Sequence, residues 1–220
     1  MFTITLDGPS ASGKSTVADI VAKKLNIHHL NSGEFYRVIA LYMHRKNIKT
    51  EDIDKINKEL ANINIDVTFM GEKQKMILNG EDVTDLLHSN EINSTVSIYA
   101  HNEQVVKKAS ELTYLATLTN KLIIDGRNVG SFVLPNADCK IFLDCDAKIR
   151  AERRYKEQLE KGANVTFDEI LKQTLERDEL DRKRKIAPLV VPENAIIITS
   201  DNKSPDEIAD EIVKLAKSKM

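Results

Sequence analysis

Near the amino terminus the chain reads Gly8-Pro9-Ser10-Ala11-Ser12-Gly13-Lys14-Ser15-Thr16, a glycine, four residues, then Gly-Lys-Ser. This spacing constrains the fold more than any other feature. A loop that wraps a phosphate must turn its backbone N–H groups inward, which glycines permit; the lysine then reaches the outer phosphates and the serine hydroxyl ligates Mg²⁺. The flanks fit. Phe2 to Leu6 is a short apolar run suited to a buried strand, and Val17, Ile20, Val21 and Leu25 recur at helical spacing up to Asn26. Strand, glycine loop and helix together place the loop on a helix N-terminus, where an anion is favoured. Residues Gly8 through Thr16 are therefore the expected triphosphate site, with Lys14 on the transferring end and Ser15 on the metal.

Downstream, a helix is expected over Gly33 to Arg45, burying Tyr36, Ile39, Ala40 and Met43, and another beginning with Thr50 as its cap and turning Ile53, Ile56 and Leu60 inward. Ile63, Ile65, Val67 and Phe69 then alternate with polar residues. Gly71-Glu72 breaks that run, Met76 to Leu78 resumes it, and Asn79-Gly80 is a turn signal, which predicts a small antiparallel insertion. Asn90 to Asn120 is helical in pattern. Leu122 to Ile124 and Ile141 to Leu143 suit parallel strands buried on both faces. Two charged helices follow, Arg150 to Lys161 and Thr166 to Asp181, then a strand over Ala195 to Thr199 and a helix opened by Ser204-Pro205-Asp206-Glu207. Strands alternating with helices imply an α/β fold, a parallel sheet covered on both sides in three layers.

Composition narrows the partners. Lys+Arg 32 against Asp+Glu 34 leaves −2, not the basic excess of a nucleic-acid binder. The run Arg182 to Lys185 is short, lacks interleaved aromatics and is offset by Asp178, Glu179 and Asp181. No apolar run approaches the ~18 residues of a membrane span. Cys139 and Cys145 have no zinc-ligand neighbours and read as reduced core thiols, and His28, His29, His44, His88 and His101 are too scattered for a metal site. Met1 leads straight into the first strand with no secretory leader pattern, so a cytoplasmic protein is expected. A GTP switch is disfavoured, because Asn120-Lys121-Leu122-Ile123 lacks the acid that reads guanine. What remains is a triphosphate enzyme with arginines at 37, 127, 177 and 184, the cations a phosphate acceptor requires.

Four segments carry a resemblance: Leu6-Asp-Gly-Pro-Ser-Ala-Ser-Gly-Lys-Ser-Thr16, Asn31-Ser-Gly-Glu-Phe-Tyr-Arg37, Asp125-Gly-Arg-Asn-Val-Gly130, and Arg177-Asp-Glu-Leu-Asp-Arg-Lys-Arg184 leading into Ala187-Pro-Leu189. Over nearly its whole length the sequence resembles bacterial cytidylate kinases, P-loop enzymes that transfer phosphate from ATP to CMP and dCMP. The resemblance implies a P-loop NTPase core over about 1–32, 106–148 and 187–220, a monophosphate-binding insertion lobe over about 33–105, and a helical lid over about 149–186. It further implies that Tyr36 and Arg37 border the acceptor and that Arg37, Arg127 and Arg184 hold its phosphate. Asp181 then accepts from the ribose hydroxyls, while Ser32, Ser97 and Asn128 line the base pocket. Arg177 and Arg153 reach from the lid, Arg177 to the transferring phosphoryl and Arg153 to ATP. Lys14, Arg127, Arg177 and Arg184 are thus the expected catalytic set. Asp125 either holds the Mg²⁺ shell through water or fixes backbone at the end of its strand. A monomer is expected, taking ATP, Mg²⁺ and a nucleoside monophosphate.

At the base-reading positions the sequence departs from the family. Asn128 stands where the family has Asp, and Val106 where it has an arginine nine residues after the serine matched by Ser97; Lys107 or Lys108 is the conceivable substitute cation. Asn can present either a donor or an acceptor, so weaker cytosine selectivity is expected. Asn31 and Glu34 also depart, with no consequence assigned. Two alternatives stay open: a kinase of relaxed or shifted base preference, UMP included, and a weakened nucleotide-binding protein that keeps the loop but not the acceptor site.

Overall fold

The computed structural model describes residues 2–70, 73–160 and 162–220. The expected break at Gly71-Glu72, the expected last helical residue Lys161 and the expected start at Met1 lie outside the described residues.

Strands build the centre, those over Thr3–Asp7 and Leu122–Gly126 buried along their whole length. β1 (Thr3–Asp7), β2 (His28–Asn31), β6 (Leu122–Gly126), β7 (Cys139–Asp144) and β8 (Ile196–Thr199) form one sheet in the order β2-β6-β1-β7-β8, every neighbouring pair parallel. Because side chains alternate, the inner strand β6 serves two cores. Ile4, Leu6, Ile123, Ile141 and Leu143 pack with α1 (Lys14–Leu25) and α8 (Pro205–Lys217) on one face. Leu30, Leu122 and Ile124 pack with α2 (Gly33–Arg45) and α5 (Glu103–Thr117) on the other. These are the three expected layers.

A second, three-stranded antiparallel sheet holds β3 (Ile65–Met70), β4 (Lys73–Leu78) and β5 (Glu81–Asp82). Asn79 and Gly80 both take positive φ, 50° and 88°, and turn β4 into β5 as their sequence predicts. The sheet docks on β2: Asn31 donates its backbone N–H to Gln74 Oε1 at 2.6 Å, and His28 stacks on Phe69 at 4.5 Å. The charged helices are α6 (Ala147–Glu160) and α7 (Phe167–Arg182), the latter opened by a capping box between Thr166 and Glu169.

Three expectations need correction. The third helix, α3 (Ile53–Glu59), is capped by Asp52 and not by Thr50. The helical stretch from Asn90 divides at Ala100 to Asn102 into α4 (Asn90–Tyr99) and α5, because Asn102 turns extended and its side chain accepts from the N–H groups of Gln104 and Val105. That is a new N-cap inside an apolar pattern with no Gly or Pro to announce it. β2 was not expected at all: His28-His29-Leu30-Asn31 has a single apolar side chain, and its edge position is set by pairing with β6.

Candidate functional site

The loop after β1 does what its spacing requires. Gly8 lies at φ 154°, where a Cβ would run into the carbonyl oxygen of Leu143, and Gly13 at φ 92° turns the chain into α1. Ala11 at the apex also takes positive φ, 60°, a conformation that costs an L-residue and persists because its neighbours hold it. Lys14 folds back into the loop, donating to the Pro9 carbonyl at 2.6 Å and reaching Ser12 Oγ at 3.3 Å. Burial and the nearby Arg127 hold its pKa well below that of a free lysine, against the pull of Asp125, Asp7 and Asp181. A buried ammonium satisfied only by neutral oxygens is a group prepared for an anion.

Beside it, Ser15 Oγ donates to Asp125 Oδ2 at 2.8 Å. The other oxygen of Asp125 meets His29 Nε2 at 2.7 Å, and His29 Nδ1 meets Asp19 Oδ1 at 2.7 Å. Burial opposes charge on His29, but the two carboxylates outweigh it and raise its pKa to about 9. Burial likewise works against ionised Asp125, and the bond and charge of His29 reverse the effect and lower its pKa. Asp7, fully buried at the end of β1, accepts from the N–H groups of Val129 and Gly130 at 2.8 and 2.6 Å and so anchors the turn that carries Arg127 and Asn128. Burial pushes its pKa to about 6 despite those bonds.

Three arginines converge on Asp181 of α7, which has no exposed surface. Arg184 Nη2 lies 2.5 Å from Oδ1, Arg127 Nε 3.3 Å from Oδ2, and Arg177 Nε 3.5 Å from Oδ1. Burial would raise the Asp181 pKa, and Arg127, Arg184 and Arg177 together lower it instead. One carboxylate cannot satisfy three guanidinium groups. The Nε of Arg177 and of Arg184 are buried without a hydrogen bond among the described residues, although the Arg184 side chain is only 7% exposed. An excess of buried, under-bonded positive charge marks an anion site.

The remaining expected residues divide. Ser32 donates to the Asp125 carbonyl at 2.8 Å, and Tyr36 on α2 is flanked by Arg184, Asn128 and Ser110, so these belong to the same cleft. Asn128 is buried and donates its amide to the Ala187 carbonyl at 3.4 Å. Arg153 reaches the Ser12 carbonyl at 3.5 Å and the Ser200 carbonyl at 2.9 Å, flanking the loop. Arg37 does not join the Asp181 cluster: it donates to the Leu87 carbonyl at 3.0 Å and to Asn93 at 2.6 Å, with Glu34 3.8 Å away. Ser97 sits on α4, its carbonyl accepting from His101. On α5, Val106 is 2% exposed, Lys107 is exposed and Lys108 is partly buried. A cavity of about 560 Å³ opens beside Arg184, with Val106, His101, Gln104 and Asn57 on its walls. As for the two unexplained departures, Asn31 Oδ1 accepts from the Gly33 N–H, and Glu34 lies 3.3 Å from His88.

Sequence reasoning passed over several residues that the site uses. Arg150 pairs bidentately with Asp178, both buried, and also donates to the carbonyls of Cys145 and Ser10, tying α6 and α7 to the phosphate loop. His29, Asp19 and Asp7 were equally silent. Asp125 lies 96 residues from His29, and Val129 and Gly130 lie 122 and 123 residues from Asp7, so no local pattern joins them.

A model of the cytidylate kinase family matches residues 4–218. The chain is 36% identical over 219 residues to a cytidylate kinase of Thermotoga maritima, the match covering 100% of this chain and 98% of that protein. With a cytidylate kinase of Fusobacterium nucleatum it shares 39% identity over 211 residues, 96% of this chain and 95% of the other. Among solved structures, a shikimate kinase of Bacteroides thetaiotaomicron aligns over 98% of both chains with a TM-score of 0.50 and 13% identity, a likeness of fold alone.

Proposed function

We propose, on the premise that this chain belongs to the cytidylate kinase family, that it transfers the γ-phosphoryl group of ATP to CMP and dCMP. The observation that carries the reading is the arginine cluster: Arg127, Arg177 and Arg184 gather on one buried carboxylate close to Lys14, with two Nε groups left unbonded. A protein that only bound a triphosphate would have no use for a second cluster of partly buried cations. This also speaks against the weakened nucleotide-binding alternative.

Gly8 through Thr16 hold the donor triphosphate, and Arg153 flanks it. Lys14 exchanges the Pro9 and Ser12 oxygens for phosphate oxygens. Tyr36, Arg37, Arg127 and Arg184 receive the acceptor, Asp181 its ribose, and Ser32, Ser97 and Asn128 its base. Ser15 and Asp125 suit Mg²⁺, since both present hard oxygen donors and lie 2.8 Å apart at the mouth of the loop. Ser15 would hold the ion directly and Asp125 through water, and the bound ion would neutralise charge on the triphosphate. The regions 33–105 and 149–186 act as acceptor lobe and lid around the core; the Arg150–Asp178 pair and its bond to the Ser10 carbonyl support a lid that moves with the loop.

An oxygen of the acceptor phosphate attacks the γ-phosphorus, and the bond to the bridging oxygen breaks, leaving ADP. The acceptor is a phosphate monoester with a second pKa near ~6, so its oxygen is already anionic at neutral pH and no base is needed. The protein supplies alignment and positive charge: Lys14, Arg127, Arg177 and Arg184 stabilise charge spread over the transferring oxygens. A coupled assay over CMP, dCMP, UMP, AMP and GMP tests the reading. Turnover is expected to be highest with CMP and dCMP, and no turnover with any of them would defeat it. A second reading, relaxed base preference, is favoured by Asn128 and Val106, which leave the base pocket without a charged reader at either position.

A further inference from the structure

His29 is the one histidine among the described residues that joins two elements of the loop's surroundings at once. β2 and β6 pair in register with His29 opposite Ile123 and Asn31 opposite Asp125, which puts His29 diagonal to Asp125 on the face covered by α1. On α1, Ser15 and Asp19 are four residues apart and share one face. The side chains close a ring: Ser15 to Asp125 at 2.8 Å, Asp125 to His29 at 2.7 Å, His29 to Asp19 at 2.7 Å, and α1 back to Ser15. The His29 side chain is 9% exposed and that of Asp125 5%, so neither has solvent to swing into.

We propose that His29 is a positioning residue for the phosphate-loop centre: braced by Asp19, it holds Oδ1 of Asp125, so that only Oδ2, the oxygen on Ser15, is offered toward the bound cation. The proposal rests on the reading of Ser15 and Asp125 as the Mg²⁺ end of the site. The imidazole is rigid and planar with its nitrogens on opposite edges, so fixing one edge on α1 sets the position of the other. Without the ring, Asp125 keeps its bond to Ser15 but gains rotation about its side chain, and a carboxylate free to rotate is a weaker outer-sphere partner. Partners that orient a direct metal ligand typically change metal affinity by about 10- to 100-fold, and His29, one step further out, belongs at the low end of that range.

The test is a titration of a fluorescent ADP analogue in EDTA and in Mg²⁺, on the full chain and on His29→Leu, His29→Gln and Asp19→Asn. Affinity in EDTA is expected to stay within about twofold of the original in all three. The gain on adding Mg²⁺ should fall about tenfold in His29→Leu and by less in Asp19→Asn, and His29→Gln, which keeps an N–H toward Asp125, should recover most of it. In turnover, the Mg²⁺ concentration for half-maximal rate should rise while KM for CMP holds. An unchanged Mg²⁺ gain in His29→Leu overturns the proposal, and so does an equal loss in EDTA and Mg²⁺, the mark of a purely structural residue. If His29→Leu does not fold, an unchanged gain in Asp19→Asn overturns it. A parent protein that binds the analogue with no Mg²⁺ gain at all would instead overturn the Mg²⁺ reading of Ser15 and Asp125, and this proposal with it.

Discussion

Lys14 shows how a single residue can be legible in role and illegible in state. Its place in the motif assigns it to phosphate, but its storage against Pro9 and its depressed pKa follow from burial and from Arg127, which is far away in sequence. Replacing Lys14 by Ala should lower kcat by about 10²- to 10³-fold, the usual scale for losing one charge-stabilising donor, read in the coupled CMP assay. Asn128 is the converse case, visible in sequence as a departure and given an orientation only by the fold. Its amide hydrogens face the Ala187 carbonyl, which turns its Oδ1 the other way. Asn128→Asp should raise the CMP-to-UMP preference in kcat/KM by about tenfold, since a charged hydrogen bond exceeds a neutral one by roughly 1 to 1.5 kcal/mol. His29 makes a pH prediction. Its pKa is about 9 in the fold against 6.5 ordinarily, so the stabilisation is complete below pH about 6.5 and is lost as pH rises through about 9. A shift of this size corresponds to about 3 kcal/mol. Urea melts between pH 6 and 10 should show that alkaline loss, and His29→Gln should flatten it.

Elements were read well where periodicity was strong and poorly where a neighbour decided the outcome. α1, α2, α7 and α8 lie as their apolar stripes and capping boxes require. β2 exists because β6 offers an edge, and the division of α4 from α5 depends on Asn102 accepting two N–H groups, a choice that a single side chain makes locally. The junction of α6 with α7 depends on Arg150 and Asp178. Asp178→Asn would leave a buried guanidinium without its counter-charge, which should destabilise by about 3 to 5 kcal/mol, read as a lowered urea midpoint. It should also weaken ATP binding, because Arg150 also holds the Ser10 carbonyl of the phosphate loop.

At the scale of the whole molecule, the sheet brings the ends of β1, β2, β6 and β7 to one edge, where ligands of open parallel sheets bind. The net charge of −2 conceals a cleft whose partly buried arginines outnumber the carboxylate they share. Filling it should therefore stabilise the whole fold. ATP with Mg²⁺ and CMP each raise Tm by mass action, any ligand at a thousandfold excess over its Kd adding about 4 kcal/mol of stability, and a tighter ligand joining the two nucleotides should raise Tm beyond either alone at equal concentration, read by differential scanning. The sequence by itself determined the glycine loop between β1 and α1, the alternation that makes a three-layer parallel sheet, the small antiparallel insertion and the identity of the arginines, because each is written in residues near one another along the chain. Only the tertiary structure decided that Arg127, Arg177 and Arg184 share one carboxylate while Arg37 does not, that His29 braces Asp125, and that Asp7 anchors the turn bearing Asn128. Arg177 and Arg184 meet Asp181 from four and three residues away, but the other contacts join strands and helices distant in sequence, and burial, which sets their charges and their worth, is a property of the assembled fold alone.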